Sequence, residues 1–191
     1  MNRTLRTFLA VEASSEVRSR AAQLIERLGR SAAKVKWVEP HNMHFTLKFL
    51  GDVELLDVPR VCQAVAGAVA GLPAFEVVAH GAGAFPGAER PRTVWLGVDQ
   101  GAEAMVDLHA AVESGLLPLG FRREQRRFRP HLTIGRVRGA PQPAAELGRL
   151  VSQEADFTGG VTSVDEVLVL SSELGRDGPS YEVLCTAPLQ G

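Results

Sequence analysis

The sequence predicts a duplicated α+β fold: two lobes of antiparallel sheet around a central groove, with helices packed outside. Three observations point there. Strand-like and helix-like segments alternate along the 191 residues. The order helix, strand, strand follows one short polar motif near residue 44 and follows a second copy near residue 131. No low-complexity linker separates the halves, so residues 1–191 are expected to form one domain of two pseudo-symmetric lobes.

Each element has its own signal. Leu5, Thr7, Leu9 and Val11 alternate with Arg6, Phe8 and Ala10, which predicts a strand over 4–11. Val17, Ala21, Leu24, Ile25 and Leu28 repeat at helical spacing, and Ser14 and Ser15 can cap the helix they predict. Val35–Val38 is a short strand, Glu39–Asn42 a turn by its Pro and Asn, and Met43–Leu50 a strand closed by Gly51. An Ala/Val-rich helix over 56–70 ends at Gly71 and Pro73. Phe75–Phe85 and Thr93–Val98 read as a hairpin with a long loop, followed by a helix over 102–117. Phe128–Val137 reads as a strand interrupted by Pro130, and 143–151 as a short helix. Val161–Leu170 and Ser180–Ala187 read as two closing strands joined by a turn at 175–179.

Composition excludes several classes. Hydrophobic residues make up 45% and charged residues 23%, which is globular rather than disordered. No apolar run reaches the length of a membrane span. The start shows no secretory signal, and a cytoplasmic protein is expected. Cys62 and Cys185 are too few for a disulfide framework or a four-thiol zinc site, and reduced thiols are expected. The formal net charge is −1, yet residues 122–138 hold seven arginines against Glu124 alone. A basic patch on a neutral chain points to an anionic ligand, or to a solvated loop.

The repeated motif carries the chemistry. His44-Phe45-Thr46-Leu47 and His131-Leu132-Thr133-Ile134 share one pattern: His, apolar, Thr, apolar. On a strand, residues two apart share a face, so each His points the same way as its Thr. One copy alone is a weak signal, because a histidine on a strand is usually packed or solvated. Two copies at matching places in a repeated order are hard to obtain by accident. Imidazole titrates near neutral pH, so a pair can supply a base and an acid in one step. Threonine hydroxyls can donate to phosphoryl oxygens without adding charge. With nearby arginine this is a site for attack on a phosphodiester.

Other candidates are weaker. His41 has no counterpart in the second copy, and His80 and His109 have no partners, which suits core or surface roles. A zinc site built on His41 and His44 lacks a carboxylate or Cys at ligand spacing, so no metal and no cofactor are expected. Lys48 shares parity with His44 and Thr46 and is read as a substrate-binding cation or a surface lysine. Arg136 is an odd five residues from His131, so a regular strand turns it away, unless Gly135 permits a bulge that re-aims it.

At these residues the chain resembles the 2H phosphoesterase superfamily, and within it the RNA 2′,3′-cyclic phosphodiesterases once called 2′-5′ RNA ligases. The likeness covers Arg6–Ala10, Trp37-Val38, His44–Gly51, Trp95–Val98, Arg129–Arg136 and Ser171–Leu174. It implies His44 as acid and His131 as base, with Thr46, Thr133 and Arg136 on the phosphate. It implies a substrate of RNA or nucleotide ending in a 2′,3′-cyclic phosphate, opened to a 2′-phosphomonoester without metal. The reverse reaction, 2′-5′ ligation, is the rival enzyme reading, and a non-catalytic module binding RNA ends or nucleotides is the rival from another class. A monomer away from membranes is expected.

Overall fold

Why each segment adopts its structure is visible in its caps and buried stripes. The computed structural model describes residues 3–139, 141–175 and 178–190. Strand β1 (Thr4–Glu12) leads into helix α1 (Ser15–Leu28). Ser14 caps α1 by accepting from the Val17 amide at 3.1 Å, and Val17, Ala21, Leu24 and Leu28 bury its inner stripe. The Ser14 hydroxyl also donates to the Val161 carbonyl at 2.6 Å, tying the helix start to a strand 147 residues away. Strand β2 (Lys34–Trp37), a 3-10 turn (Pro40–Asn42) and strand β3 (His44–Glu54) follow. Helix α2 (Val58–Val69), the hairpin β4 (Phe75–Phe85) and β5 (Thr93–Val98), and helix α3 (Ala102–Leu116) complete the first part. Then come β6 (His131–Arg138), α4 (Pro141–Gln153), β7 (Thr158–Val164), β8 (Glu166–Leu174) and β9 (Pro179–Pro188).

The nine strands of the described residues form one antiparallel sheet: eight follow the order β7-β4-β5-β6-β3-β1-β8-β9, and β2 pairs with β6 off that path. The two motif strands, β6 and β3, therefore lie side by side at its centre. They are joined by a single pair, Phe45 opposite Leu132. Beyond that pair β3 diverges, and β2 takes the freed edge of β6, running from Lys34 opposite Arg138 to Trp37 opposite Gly135. Each motif strand has its own flanking partner, β1 beside β3 and β5 beside β6.

Alternation along the strands sorts the side chains. Leu9, Phe45, Leu96, Leu132, Ile134 and Val169 join the inner stripes of the helices in the main core. Phe8, Ala10, Leu168 and Leu170 sit one residue out of step with that set and form a separate cluster with Tyr181 on the opposite face. That second face is the one toward which His44 points, since its ring lies 5.0 Å from Phe8.

Three sequence readings are corrected. Val161–Leu170 is not one strand: the chain breaks at Asp165, because β7 pairs with β4 and β8 pairs with β1 on the other side of the sheet. The repeat after the second motif therefore has three strands, not two. The strand predicted from Phe128 begins only at His131, as Pro130 lacks a ladder donor. Cys62 and Cys185 are not free thiols but a disulfide, with Cα atoms 6.2 Å apart, because α2 packs across β9. The turn expected at 175–179 falls partly outside the described residues. No described helix is long and apolar enough to cross a membrane.

Candidate active site

The antiparallel register at Phe45–Leu132 sets His44 beside Thr133 and Thr46 beside His131. The two imidazoles then lie on a diagonal of the ladder, where Cβ atoms are about 7–8 Å apart in a regular pair. Both histidines are held in the same way. His44 Nδ1 lies 2.8 Å from the carbonyl of Asn42, and His131 Nδ1 lies 2.7 Å from the carbonyl of Arg129. A carbonyl only accepts, so Nδ1 carries the proton in both rings and Nε2 is left for chemistry. In both cases the carbonyl belongs to the residue two positions earlier. The 3-10 turn Pro40–Asn42 supplies one, and the extended Arg129–Pro130 segment supplies the other. Among the described residues, neither Thr46 nor Thr133 spends its hydroxyl on a protein partner.

Beyond each threonine the strand bulges. Opposite β1, the register passes from Thr46 to Lys48 and skips Leu47. Opposite β5, it passes from Thr133 to Gly135 and skips Ile134. The extra residue falls at the same motif position in both copies and inverts the parity that follows. Arg136 is thereby re-aimed to the histidine face, where its charge acts on His44, His131 and Tyr181 together. The same inversion corrects the reading of Lys48. It is 3% exposed, on the core side, ion-paired with Glu113 and donating to the Arg122 carbonyl at 2.9 Å. Phe49, not Lys48, shares the open face with His44, and it stands 58% exposed 5.8 Å from Phe8.

Burial governs the titration of the pair. Desolvation pushes both imidazoles below their ordinary value of 6.5. The Asn42 and Arg129 carbonyls pull the other way by favouring the protonated ring, and Arg136 adds to the lowering. Arg129 lowers His131 further. Aromatic rings pack against both imidazoles. Tyr181 stands edge-on to His44 at 5.2 Å, and Phe85 stands edge-on to His131 at 5.1 Å with Trp95 behind it. Burial also raises the Tyr181 phenol, which stays a neutral donor near neutral pH.

Residues 16–176 match the sequence profile of the 2′-5′ RNA ligase superfamily. This chain belongs to that family. It is 38% identical over 177 residues to an RNA 2′,3′-cyclic phosphodiesterase of Methanothermobacter thermautotrophicus, covering 93% of this chain and 95% of that one. It is 33% identical over 187 residues to the enzyme of the same name from Thermotoga maritima, covering 98% and 97%. In fold it is similar to TT0787 of Thermus thermophilus, with a TM-score of 0.81, 25% identity and coverage of 98% and 99%. It is also similar to Escherichia coli LigT solved with 3′-AMP, with a TM-score of 0.76, 24% identity and coverage of 99% and 100%.

In this 2′-5′ RNA ligase family member the structure brings His44, His131, Thr46, Thr133 and Arg136 to one face and removes Lys48. Among the described residues no three His, Cys, Asp or Glu side chains converge on a metal position. His109 is a core residue, stacked on Phe128 at 4.2 Å. The aromatic shell of Phe8, Phe49, Phe85, Trp95 and Tyr181 lies outside the two tetrapeptide motifs. Its signal was present for Phe49: laying the two motifs over one another puts Phe49 on Arg136 and Lys48 on the buried Gly135. For Tyr181 and Phe85, far away in sequence, no local signal exists.

Proposed function

We propose that this protein opens terminal 2′,3′-cyclic phosphates on RNA or nucleotides to 2′-phosphomonoesters, with His44 and His131 as the acid–base pair. The observation that carries the reading is the paired anchoring of the two rings: each Nδ1 is committed to a backbone carbonyl, so each Nε2 is free on one face of neighbouring strands. The names of the relatives support it. A single domain of two lobes, each carrying one motif strand, and a monomeric enzyme form part of the reading.

The two exposed Nε2 atoms suit the following steps. One neutral imidazole takes a proton from water through Nε2 as the water oxygen bonds to phosphorus. The P–O3′ bond breaks, and the other imidazole, protonated, gives its Nε2 proton to the departing 3′ oxygen. The 2′ oxygen keeps the phosphate. The resemblance to the family assigns the acid to His44 and the base to His131. Thr46 and Thr133 donate to the non-bridging oxygens, and the Arg136 guanidinium offsets the charge gathering there. The bound phosphate anion raises the imidazole that must be protonated, which counters the lowering by burial. The resulting proton exchange with solvent restores the pair.

The test is hydrolysis of 2′,3′-cyclic nucleotides by the purified protein, with the product isomer identified by phosphorus NMR. A 2′-phosphate formed equally well with EDTA present is expected. A 3′-phosphate, or no turnover alongside tight binding, would sink the reading in favour of another specificity or of a binding module.

A further inference from the structure

Two cavities that differ in charge balance flank His131. One, of about 1120 Å³, runs toward α3 and carries Asp99, Glu103 and Asp107 together with Arg127 and Arg129 on its walls. The other, of about 720 Å³, lies between the β4–β5 loop and the arginine segment that precedes β6. It carries Arg90, Arg92, Arg126, Arg127 and Arg129 against Glu124 alone. Phe85, Arg127, Phe128, Arg129 and His131 border both. Among the described residues, none of these five arginines forms an ion pair. Of the five side chains, that of Arg129 has a ring contact, its guanidinium lying over the rings of Phe85 at 5.7 Å and Trp95 at 5.8 Å. Like charges gathered without partners repel one another and weaken a fold, so the cluster has no account in stability.

The arginine segment is not a loose solvated loop. Lys48 Nζ holds the Arg122 carbonyl at 2.9 Å from beneath, and the Glu113 carboxylate accepts from the Glu124 amide at 3.1 Å. Phe128 lies flat on His109, and Arg123 donates to the Ser114 hydroxyl at 2.8 Å. The buried Lys48–Glu113 pair is thus a foundation for the segment, which explains why a lysine sits on the core side of the sheet.

We propose that this basic cavity binds the sugar–phosphate backbone of single-stranded RNA beyond the phosphate that reacts. The inference rests on the function proposed above. A polyanion leaving the reacting phosphate meets three carboxylates against two guanidinium groups on the α3 side of His131, and five guanidinium groups against one carboxylate on the other, so it is drawn into the second cavity. Phe85 and Phe128 on its walls add apolar surface for unpaired bases, which a duplex would keep stacked inside itself. The strand can have two sources: the nucleotides 5′ of the cyclic phosphate, or a second strand presenting a 5′-hydroxyl.

The test uses the full-length protein and the triple variant R90A/R92A/R126A, none of whose positions belongs to the acid–base pair or the phosphate ligands. Turnover of a 2′,3′-cyclic mononucleotide is compared with that of a ten-nucleotide RNA ending in a cyclic phosphate, across a salt series. Wild type is expected to favour the oligonucleotide by about 10–100-fold in kcat/KM at low salt. The variant is expected to lose that preference, keep its mononucleotide rate and lose about two units of log–log salt slope. A second arm adds a ten-nucleotide RNA with a 5′-hydroxyl and no cyclic end as an inhibitor of mononucleotide turnover. Relief of inhibition in the variant, without a change in the first arm, assigns the cavity to a second strand. Equal preference and equal inhibition in both proteins would overturn the proposal. If wild type turns over neither substrate, the functional reading fails by itself. Fluorescence anisotropy of the same RNAs then decides on the cavity: binding weakened about tenfold or more in the variant supports it, and unchanged binding overturns it.

Discussion

The two motif strands begin alike and end differently, and the difference shows how a duplicated scaffold becomes an asymmetric site. β3 and β6 share a His, a Thr, a carbonyl-anchored ring and a bulge on the fourth motif residue. After the bulge comes one residue that faces the core and one that faces the site. In β3 these are Lys48 and Phe49; in β6 they are Gly135 and Arg136. The core position takes a lysine only because Glu113 is there to pair it, and takes a glycine because the Trp37 ring would lie 2.6 Å from any Cβ. The site position takes an aromatic ring on one side and a cation on the other. In the function proposed above, the half that carries Arg136 holds the phosphate, while the other presents an apolar surface.

Four experiments sharpen or break that comparison. If the histidines are functionally paired, H44A and H131A each lower kcat by about 10²–10⁴-fold, with circular dichroism unchanged. The double variant is expected to be little worse than either single, since the pair acts as a unit. A double variant that loses the product of the two single effects would show two independent groups instead.

Lys48 and Arg136 separate stability from activity. K48M leaves Glu113 ionised and unpaired inside the protein, so it is expected to cost about 3–5 kcal/mol in urea unfolding. K48M together with E113L removes both charges and is expected to recover most of that. R136M, at an exposed position, is expected to change stability by no more than about 0.5 kcal/mol. It is expected to lower kcat/KM by about 10–100-fold, the worth of a hydrogen bond to a charged group. A stable K48M with impaired phosphate binding would return Lys48 to the site.

G135A tests the core side of the second bulge. The added methyl meets Trp37 and Val35 side chains at 2.6–2.8 Å, and a loss of about 1–3 kcal/mol is expected by thermal or urea unfolding. A neutral G135A would mean that Trp37 yields without cost.

The smallest effect concerns pH. Both imidazoles are held below 6.5 by burial, so kcat/KM is expected to trace a bell displaced to the acid side of neutral. The limbs belong to the pair and not to either ring. Arg136 contributes to the lowering, so R136M is expected to move both limbs to higher pH. The linkage to stability runs the same way. Folded protein binds fewer protons than unfolded between the lowered values and 6.5, so this contribution is complete above 6.5 and is lost as pH falls through the folded values. A profile that R136M leaves in place would remove Arg136 from the electrostatics of the pair.

The outline of the fold and the centre of the site were legible because they rest on short-range pattern. Apolar spacing placed α1, α2 and α3 to within a few residues, and the repeated His-x-Thr tetrapeptides placed His44, Thr46, His131 and Thr133 on one face by simple alternation. Parity fails at the first extra residue, and whether a strand bulges depends on its neighbour. Leu47 and Ile134 bulge because of how β1 and β5 pair across from them, which no reading of β3 or β6 alone contains.

What the sequence by itself determined is therefore everything whose cause lies within a few residues: helices from their stripes and caps, strands from alternation, and the identity of the four polar side chains. Tertiary structure decided the rest. It turned Lys48 inward and Arg136 outward through cross-strand register. It split 161–170 between two sides of the sheet, because β4 and β1 each needed an antiparallel neighbour. It joined Cys62 to Cys185 across 123 residues and brought Tyr181 and Phe85 against the two histidines. Apart from Gly135, which signalled a possible bulge before Arg136, these are contacts between segments far apart in the chain, fixed by the packing of the whole sheet, and local pattern carries no trace of them.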